Sequence, residues 1–177
     1  MKIGLCGTMS VGKTTLVNAL KNDSDFKDYI FRTERSKYLN SIGIPLNTDS
    51  TLKGQLVFAA ERSAELMQEN IITDRTIIDV MAFCELSKSM SEAEKQHING
   101  VLWHLIKEYD IIFHINDLSI PIEDNGVRET DKDYRLDIAN KINEIITEHR
   151  YKCKIVNISG TTKDRINQIK SVLDNMY

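Results

Sequence analysis

The run GTMSVGKT at residues 7–14 constrains this chain more than any other feature of it. It satisfies the pattern G-x-x-x-x-G-K-[ST], follows the short apolar run KIGLC (residues 2–6), and opens a stretch with helical spacing, Leu16 and Leu20 standing at i, i+4. Gly7 and Gly12 permit the backbone angles that let successive N–H groups of the loop Met9, Ser10, Val11 and onward to Thr15 converge on phosphate oxygens. The helix that follows directs its positive end at the same point. Lys13 can reach terminal phosphates, and the Thr14 hydroxyl can ligate Mg²⁺. An ordinary glycine turn seldom has this strand–loop–helix context near a chain terminus.

Further short apolar runs recur at residues 29–32 (YIFR), 70–73 (NIIT), 110–115 (DIIFHI) and 153–158 (CKIVNI). They lack polar alternation, as strands covered on both faces do. Helical spacing fills the intervals at 51–69, 91–108, 131–149 and 162–176. The first of these places Leu52, Leu56, Ala59, Ala60, Ala64 and Met67 on one side; the third aligns Leu136, Ile138, Ile142, Ile145 and Ile146. Strands alternating with helices predict an α/β fold, a parallel sheet with helices on both faces and right-handed crossovers. With 177 residues, 41% hydrophobic and 28% charged, one domain over residues 1–177 is expected. The aperiodic segment 116–130 (NDLSIPIEDNGVRET) is long for so small a domain, which marks it as functional, with a lid expected at about 118–135.

In a doubly wound sheet ligands bind beyond the carboxyl ends of the strands. The run IITDRT puts Asp74 and Arg75 there, and Asp74 is either a second Mg²⁺-directed carboxylate or, with Thr76, a candidate cap for the next helix. Asp79 is a first-turn acid that offsets the helix dipole or joins the site. RTERSKYL offers Glu34, which can take a proton from a substrate hydroxyl or belong to the solvated start of a helix. Arg128 in the aperiodic segment and Arg135 beyond it can neutralise transition-state charge, or pair with Glu129, Asp131 and Asp133. Gln55 and Arg62 share a helix face beside Phe58, whose ring either stacks on a substrate or packs in the core. Ser159–Lys163, after the last strand, occupies the usual place for contact with a nucleotide base.

Other classes fit poorly. A net charge of −3 argues against a dedicated nucleic-acid binder. Cys6, Cys84 and Cys153 show no CxxC spacing and read as reduced, buried thiols. His97 and His104 share a helix face without a third ligand, so no zinc site is expected. No apolar run approaches the roughly 18–20 residues of a membrane span, and no signal-peptide pattern opens the chain, so a cytoplasmic location is expected. A regulatory GTPase switch would need an Asn-Lys-x-Asp guanine reader and an Asp-x-x-Gly switch. His114-Ile115-Asn116-Asp117 and Asp74-Arg75-Thr76-Ile77 match neither.

Together, GTMSVGKTTL, RTERSKYL, ITDRTIIDVMAF and NGVRETDKDYR resemble the small P-loop kinase-like ATPase family that includes ribosylnicotinamide kinase domains and phage proteins. More distantly they are similar to deoxynucleoside and nucleoside monophosphate kinases. The resemblance implies a P-loop three-layer sandwich with strand order 2-3-1-4-5. It implies ATP as phosphoryl donor and Mg²⁺ as cofactor, held by Lys13, Thr14 and Asp74, with Arg75 against the transferring group. Thr76 stands where the deoxynucleoside kinase Asp/Glu-Arg-Ser element has serine. Arg128 and Arg135 would be lid arginines, and Glu34 the acid on the acceptor side. The expected acceptor is a small nucleoside- or nucleotide-type molecule, with a modified base or end within DNA as the alternative.

Overall fold

Five short runs of β-branched and aliphatic residues pair into one sheet in the computed structural model of the protein, which describes residues 1–33, 35–122, 130–149 and 153–176. They are β1 (Lys2–Cys6), β2 (Ile30–Arg32), β3 (Ile71–Asp74), β4 (Ile111–His114) and β5 (Lys154–Asn157). All pairings are parallel and the order is β2-β3-β1-β4-β5, as expected from the resemblance. The central strands are buried throughout, which is why their sequences carry no polar alternation. β2 is a three-residue edge strand with two exposed positions.

Among the described residues, seven α-helices cover the sheet: α1 (Lys13–Lys21), α2 (Ser36–Ser41), α3 (Leu52–Glu65), α4 (Ile77–Glu85), α5 (Glu92–Leu102), α6 (Lys132–His149) and α7 (Thr162–Asp174). On one face Ile3, Leu5, Ile72 and Phe113 pack against Leu16, Val17 and Leu20 of α1 and Ile169 and Leu173 of α7. On the other, Cys6 and Ile112 meet α4, α5 and α6 through residues such as Ile78, Ile98, Ile138 and Ile142. Alternate strand residues therefore feed two cores, the consequence of a two-residue side-chain period. Among the described residues no helix is long and apolar enough to cross a membrane.

The helical spacing read in the sequence and the structure differ in places, each with a physical cause. The helical pattern at 91–108 ends as α-helix at Leu102 and continues as a 3₁₀ turn over Trp103–Glu108. α4 has almost every residue buried, so its sequence IIDVMAFCE shows no polar face from which a helical period could be read. Another difference lies in α3. Its expected apolar side is largely in solvent, with Leu56 52% and Met67 81% exposed, whereas Gly54, Gln55, Ala59 and Arg62 form the buried face. Leu136 of α6 is likewise exposed at a position read as core. Polar groups displace aliphatic ones from the inner face of α3 because that face looks onto the end of β3.

Substituting Ile72→Ala, at the centre of β3, is expected to cost about 2–5 kcal/mol in chemical denaturation. Leu56→Ala is expected to stay within about 0.5 kcal/mol of the parent, as a surface change does. Comparable losses at the two sites would contradict the assignment of the buried face of α3.

Candidate active site

β1 and β3 are neighbours in a register that sets Leu5 opposite Asp74. The chain leaving β1 at Gly7 therefore turns directly beside the end of β3. Gly7 takes φ +151° and passes so close to the chain just after β4 that a Cβ would stand 2.3 Å from the Ile115 carbonyl oxygen. Gly12 caps α1 at φ +86°. Both positions demand glycine.

Within the loop, the Lys13 ammonium is buried and donates to the carbonyls of Gly7 and Thr8, at 2.6 Å each. The Thr14 hydroxyl donates to Asp74 Oδ2 at 2.7 Å. Asp74 Oδ1 is buried without a hydrogen-bond partner. A hydroxyl beside an unsatisfied carboxylate oxygen is a hard-oxygen donor set that suits Mg²⁺, which takes one or two protein ligands and completes its shell with water and phosphate. Among the described residues no cluster of three or more His, Cys, Asp or Glu is gathered for a metal.

Asp79 proves to hold the loop as well as cap α4. Its carboxylate accepts from the backbone N–H and hydroxyl of Thr76 and from the N–H of Gly7 at 3.2 Å. Thr76, not Asp74, is the cap residue.

Met9, Ser10, Gly12, Lys13, Thr14 and Thr15 line a cleft of about 630 Å³ together with Asp74, Arg75, Asp117 and Ile120, within the size range of small-molecule sites. Val11 keeps its side chain in the core, and its carbonyl accepts from Arg165 Nη1 at 2.7 Å. Of the loop after β5, Gly160, Thr161 and Thr162 reach the cleft. Arg135 does not point freely toward it. Its guanidinium donates to the carbonyls of Ile120, Ser10 and Asp117, so it fastens the chain after β4 to the phosphate loop. Glu34 and Arg128 lie outside the described residues, as does much of the lid segment.

A second pocket, about 60 Å³ in this conformation, opens on the other side of Arg75. Gln55 and Phe58 of α3, Val80 and Phe83 of α4, Asn47 and Met9 line it. Phe58 packs at the margin of the core, one of its two expected readings, and also lines this pocket. Arg75 borders both spaces. It adopts φ +82°, its guanidinium lies 5.0 Å above the Phe83 ring, and Nη1 is 3.6 Å from Asp79 Oδ1.

Sequence reading missed Asp117, Arg165 and Phe83. Asp117 accepts from Arg165 at 2.9 Å, and the pair closes one side of the large cleft. Its position just beyond the carboxyl end of β4 was the available signal. Arg165 and Phe83 carry no such mark.

A family model described as an AAA domain matches residues 2–165. The chain belongs to this family of P-loop proteins. No curated protein matches it closely enough to count. Solved structures do share its fold: M. mycoides deoxyadenosine kinase with bound dCTP has TM-score 0.69 at 17% identity, covering 99% of this chain and 100% of that one. NadR in complex with NR has TM-score 0.67 at 18% identity, covering 90% of this chain and 46% of that one. YorR from Bacillus subtilis, in complex with phosphorylated GDP, has TM-score 0.58 at 13% identity over 97% and 95%.

Burial, and then the charge of Arg75, bring the Lys13 pKa down to about 8, against the pull of Asp79 and Asp74. Between that value and its ordinary 10.5 the unfolded chain binds more protons at this residue, so stability rises with pH across the window. A polyphosphate entering the loop favours the charged amine. Tripolyphosphate binding is therefore expected to take up a proton near and above pH 8 and to weaken as pH rises further. Calorimetry in buffers of different ionisation enthalpy checks this, with the uptake expected to vanish in Lys13→Ala.

Proposed function

We propose that the protein is an ATP- and Mg²⁺-dependent phosphotransferase that moves the γ-phosphoryl group to a hydroxyl of a nucleoside-type acceptor. The observation that carries the proposal is the conjunction at the end of β3. Thr14, bonded to Asp74, fronts one cleft, and Arg75, the next residue, separates it from the second pocket. A donor site and an acceptor site sharing one arginine is the geometry that phosphoryl transfer needs, since this chemistry rests on positioning and charge neutralisation.

Gly7–Thr15 would hold the donor phosphates, with Lys13 moving from its two carbonyl partners onto them. Thr14 and Asp74 would hold Mg²⁺, which when bound neutralises phosphate charge. Arg75 would face the transferring group, with Arg135 fixing the chain that continues into the lid. We assign Arg128, within that lid segment of about 118–135, to the same group. Glu34, two residues after the end of β2 in the sequence, is assigned to orient the acceptor hydroxyl and take its proton. A carboxylate bound to Mg²⁺ is a poor proton acceptor, so Asp74 is the weaker candidate for that role.

The composition of the second pocket favours a neutral acceptor over a phosphorylated one. Arg75 is the one cation among its described lining residues, and it faces Asp79. Phe58 and Phe83 offer aromatic faces. Gln55 is 3% exposed and brings an amide able to donate and accept. The pocket must open to admit a nucleoside, since 60 Å³ holds only a few waters. The solved deoxyadenosine kinase and NadR structures lend the reading support by analogy of fold.

The test is a transfer screen with γ-labelled ATP over nucleosides, nucleotides, ribosylnicotinamide and duplex DNA. Label is expected on a nucleoside-type hydroxyl, only with Mg²⁺ or Mn²⁺. Transfer in excess chelator, or near-parent turnover by folded Lys13→Ala, would refute the proposal. Transfer confined to DNA would relocate the acceptor. Glu34→Gln is expected to lower turnover roughly 10²–10⁴-fold, the span for a lost general base, with ATP affinity kept, whereas Asp74→Asn is expected to alter the metal dependence.

A further inference from the structure

Arg62 is 4% exposed in the middle of α3 and touches neither cleft. An aliphatic residue would pack there without the desolvation cost of a buried guanidinium. The contacts Arg62 makes are specific. Nη1 donates to the carbonyl of Asp74 at 3.1 Å and to that of Arg75 at 3.3 Å, and Nη2 donates to Glu65 Oε1 at 2.8 Å. These two carbonyls belong to the residues proposed to hold the metal and to face the transferring group. They also flank the left-handed turn at Arg75, φ +82°, a conformation that a residue with a Cβ avoids unless its surroundings fix it.

We infer that Arg62 is a positioning residue for the phosphoryl-transfer site, setting Asp74 and Arg75 through their backbone. The inference rests on the reading proposed above. The peptide planes after Asp74 are fixed from three sides. The Arg75 N–H donates to Leu5 of β1 at 2.9 Å, the Thr76 N–H donates to Asp79 at 2.7 Å, and Arg62 takes the two carbonyls from α3. The first two anchors are ordinary, being a sheet bond and a helix cap. The third alone engages the two carbonyls, and it does so with a buried cation reaching in from α3. With it removed, the carbonyls of residues 74 and 75 turn to find other donors, and Arg75 relaxes toward negative φ. That rotation carries the Arg75 side chain off the seam between the clefts and shifts Asp74 relative to Thr14. Glu65 keeps the guanidinium oriented from its other end.

Arg62→Met keeps length and burial but removes all three donated bonds. Arg62→Lys keeps the charge for Glu65 and can reach one carbonyl at most. Three measurements decide the matter: Mg²⁺ titration by calorimetry into protein saturated with a non-hydrolysable ATP analogue, analogue affinity in chelator, and steady-state kinetics. For Arg62→Met a several-fold loss of metal affinity is expected, with analogue affinity in chelator unchanged. Turnover is expected to fall by about 10²-fold, the scale of an ångström-level misplacement, with KM for ATP held. Arg62→Lys is expected to lie between the two. Parent-like metal affinity and turnover in either folded variant would overturn the inference, and so would an equal loss of analogue affinity in chelator, the mark of a collapsed loop. Should Arg62→Met not fold, Arg62→Lys decides by the same measurements. Absence of transfer by the parent with metal binding intact would defeat the kinase reading alone, since the titration still decides Arg62. A parent that takes no metal would overturn both.

Discussion

The bond from the Thr14 hydroxyl to Asp74 ties together everything that gathers at one edge of the sheet. It exists because β1 and β3 are parallel neighbours in a register that ends both at the same height. A parallel sheet delivers its loops to one edge only, and here that edge concentrates charge. Lys13, Asp74, Asp79, Arg62, Arg135 and Arg165 are all buried there. Burying so many charges is costly unless each finds partners. The arginines find theirs mostly on backbone carbonyls: Arg62 on β3's end, Arg135 on the chain after β4, Arg165 on the phosphate loop itself. Three helices thus reach in with guanidinium groups to fix three loops. The cost of burial is converted into a rigid frame around a cleft whose own polar groups are left partly unsatisfied.

Asp74 Oδ1 is the most telling of those unsatisfied groups, because its neighbour Oδ2 already has Thr14. Asp79 shows the contrasting condition. It is as buried as Asp74, yet its oxygens are engaged by Thr76 and Gly7. Two carboxylates five residues apart are thereby given different tasks, one structural and one open to a ligand. Arg75 connects them. Its left-handed backbone turns the side chain toward Asp79 and Phe83, and so toward the wall between the two spaces.

Much of this was legible in the amino-acid order. The phosphate loop, β1, α1 and the strand order follow from the glycine–lysine motif, from apolar runs buried on both faces, and from the family resemblance. That Asp74 ends a strand beside the start of α1, where Thr14 stands, was readable because topology brings strand ends and loops to one edge of the sheet. Side-chain direction on α3 was not readable. Hydrophobic spacing put Leu56 and Met67 inside, and the structure puts Gln55 and Arg62 there, because the face they occupy borders a polar site. Hydrophobicity predicts which side of a helix avoids water, and it fails where the neighbouring element offers carbonyls in place of methyl groups. α4 was legible from its cap Thr76 and first-turn acid Asp79 and not from a helical period, because nearly all of its residues are buried. Arg135 was read as a catalytic cation and is found bonded to carbonyls, since one sequence position cannot reveal which acceptors a fold will bring within reach. Glu34 and Arg128 keep their proposed roles untested by the described geometry.

The most direct test of this assembly is a crystal structure of the protein grown with Mg²⁺ and a non-hydrolysable ATP analogue. The expected result is β- and γ-phosphates enclosed by residues 7–14, Lys13 transferred to them from Gly7 and Thr8, and the metal bound at Thr14 with Asp74 facing it. Phosphates lying outside that loop, or a metal held away from both Thr14 and Asp74, would contradict it.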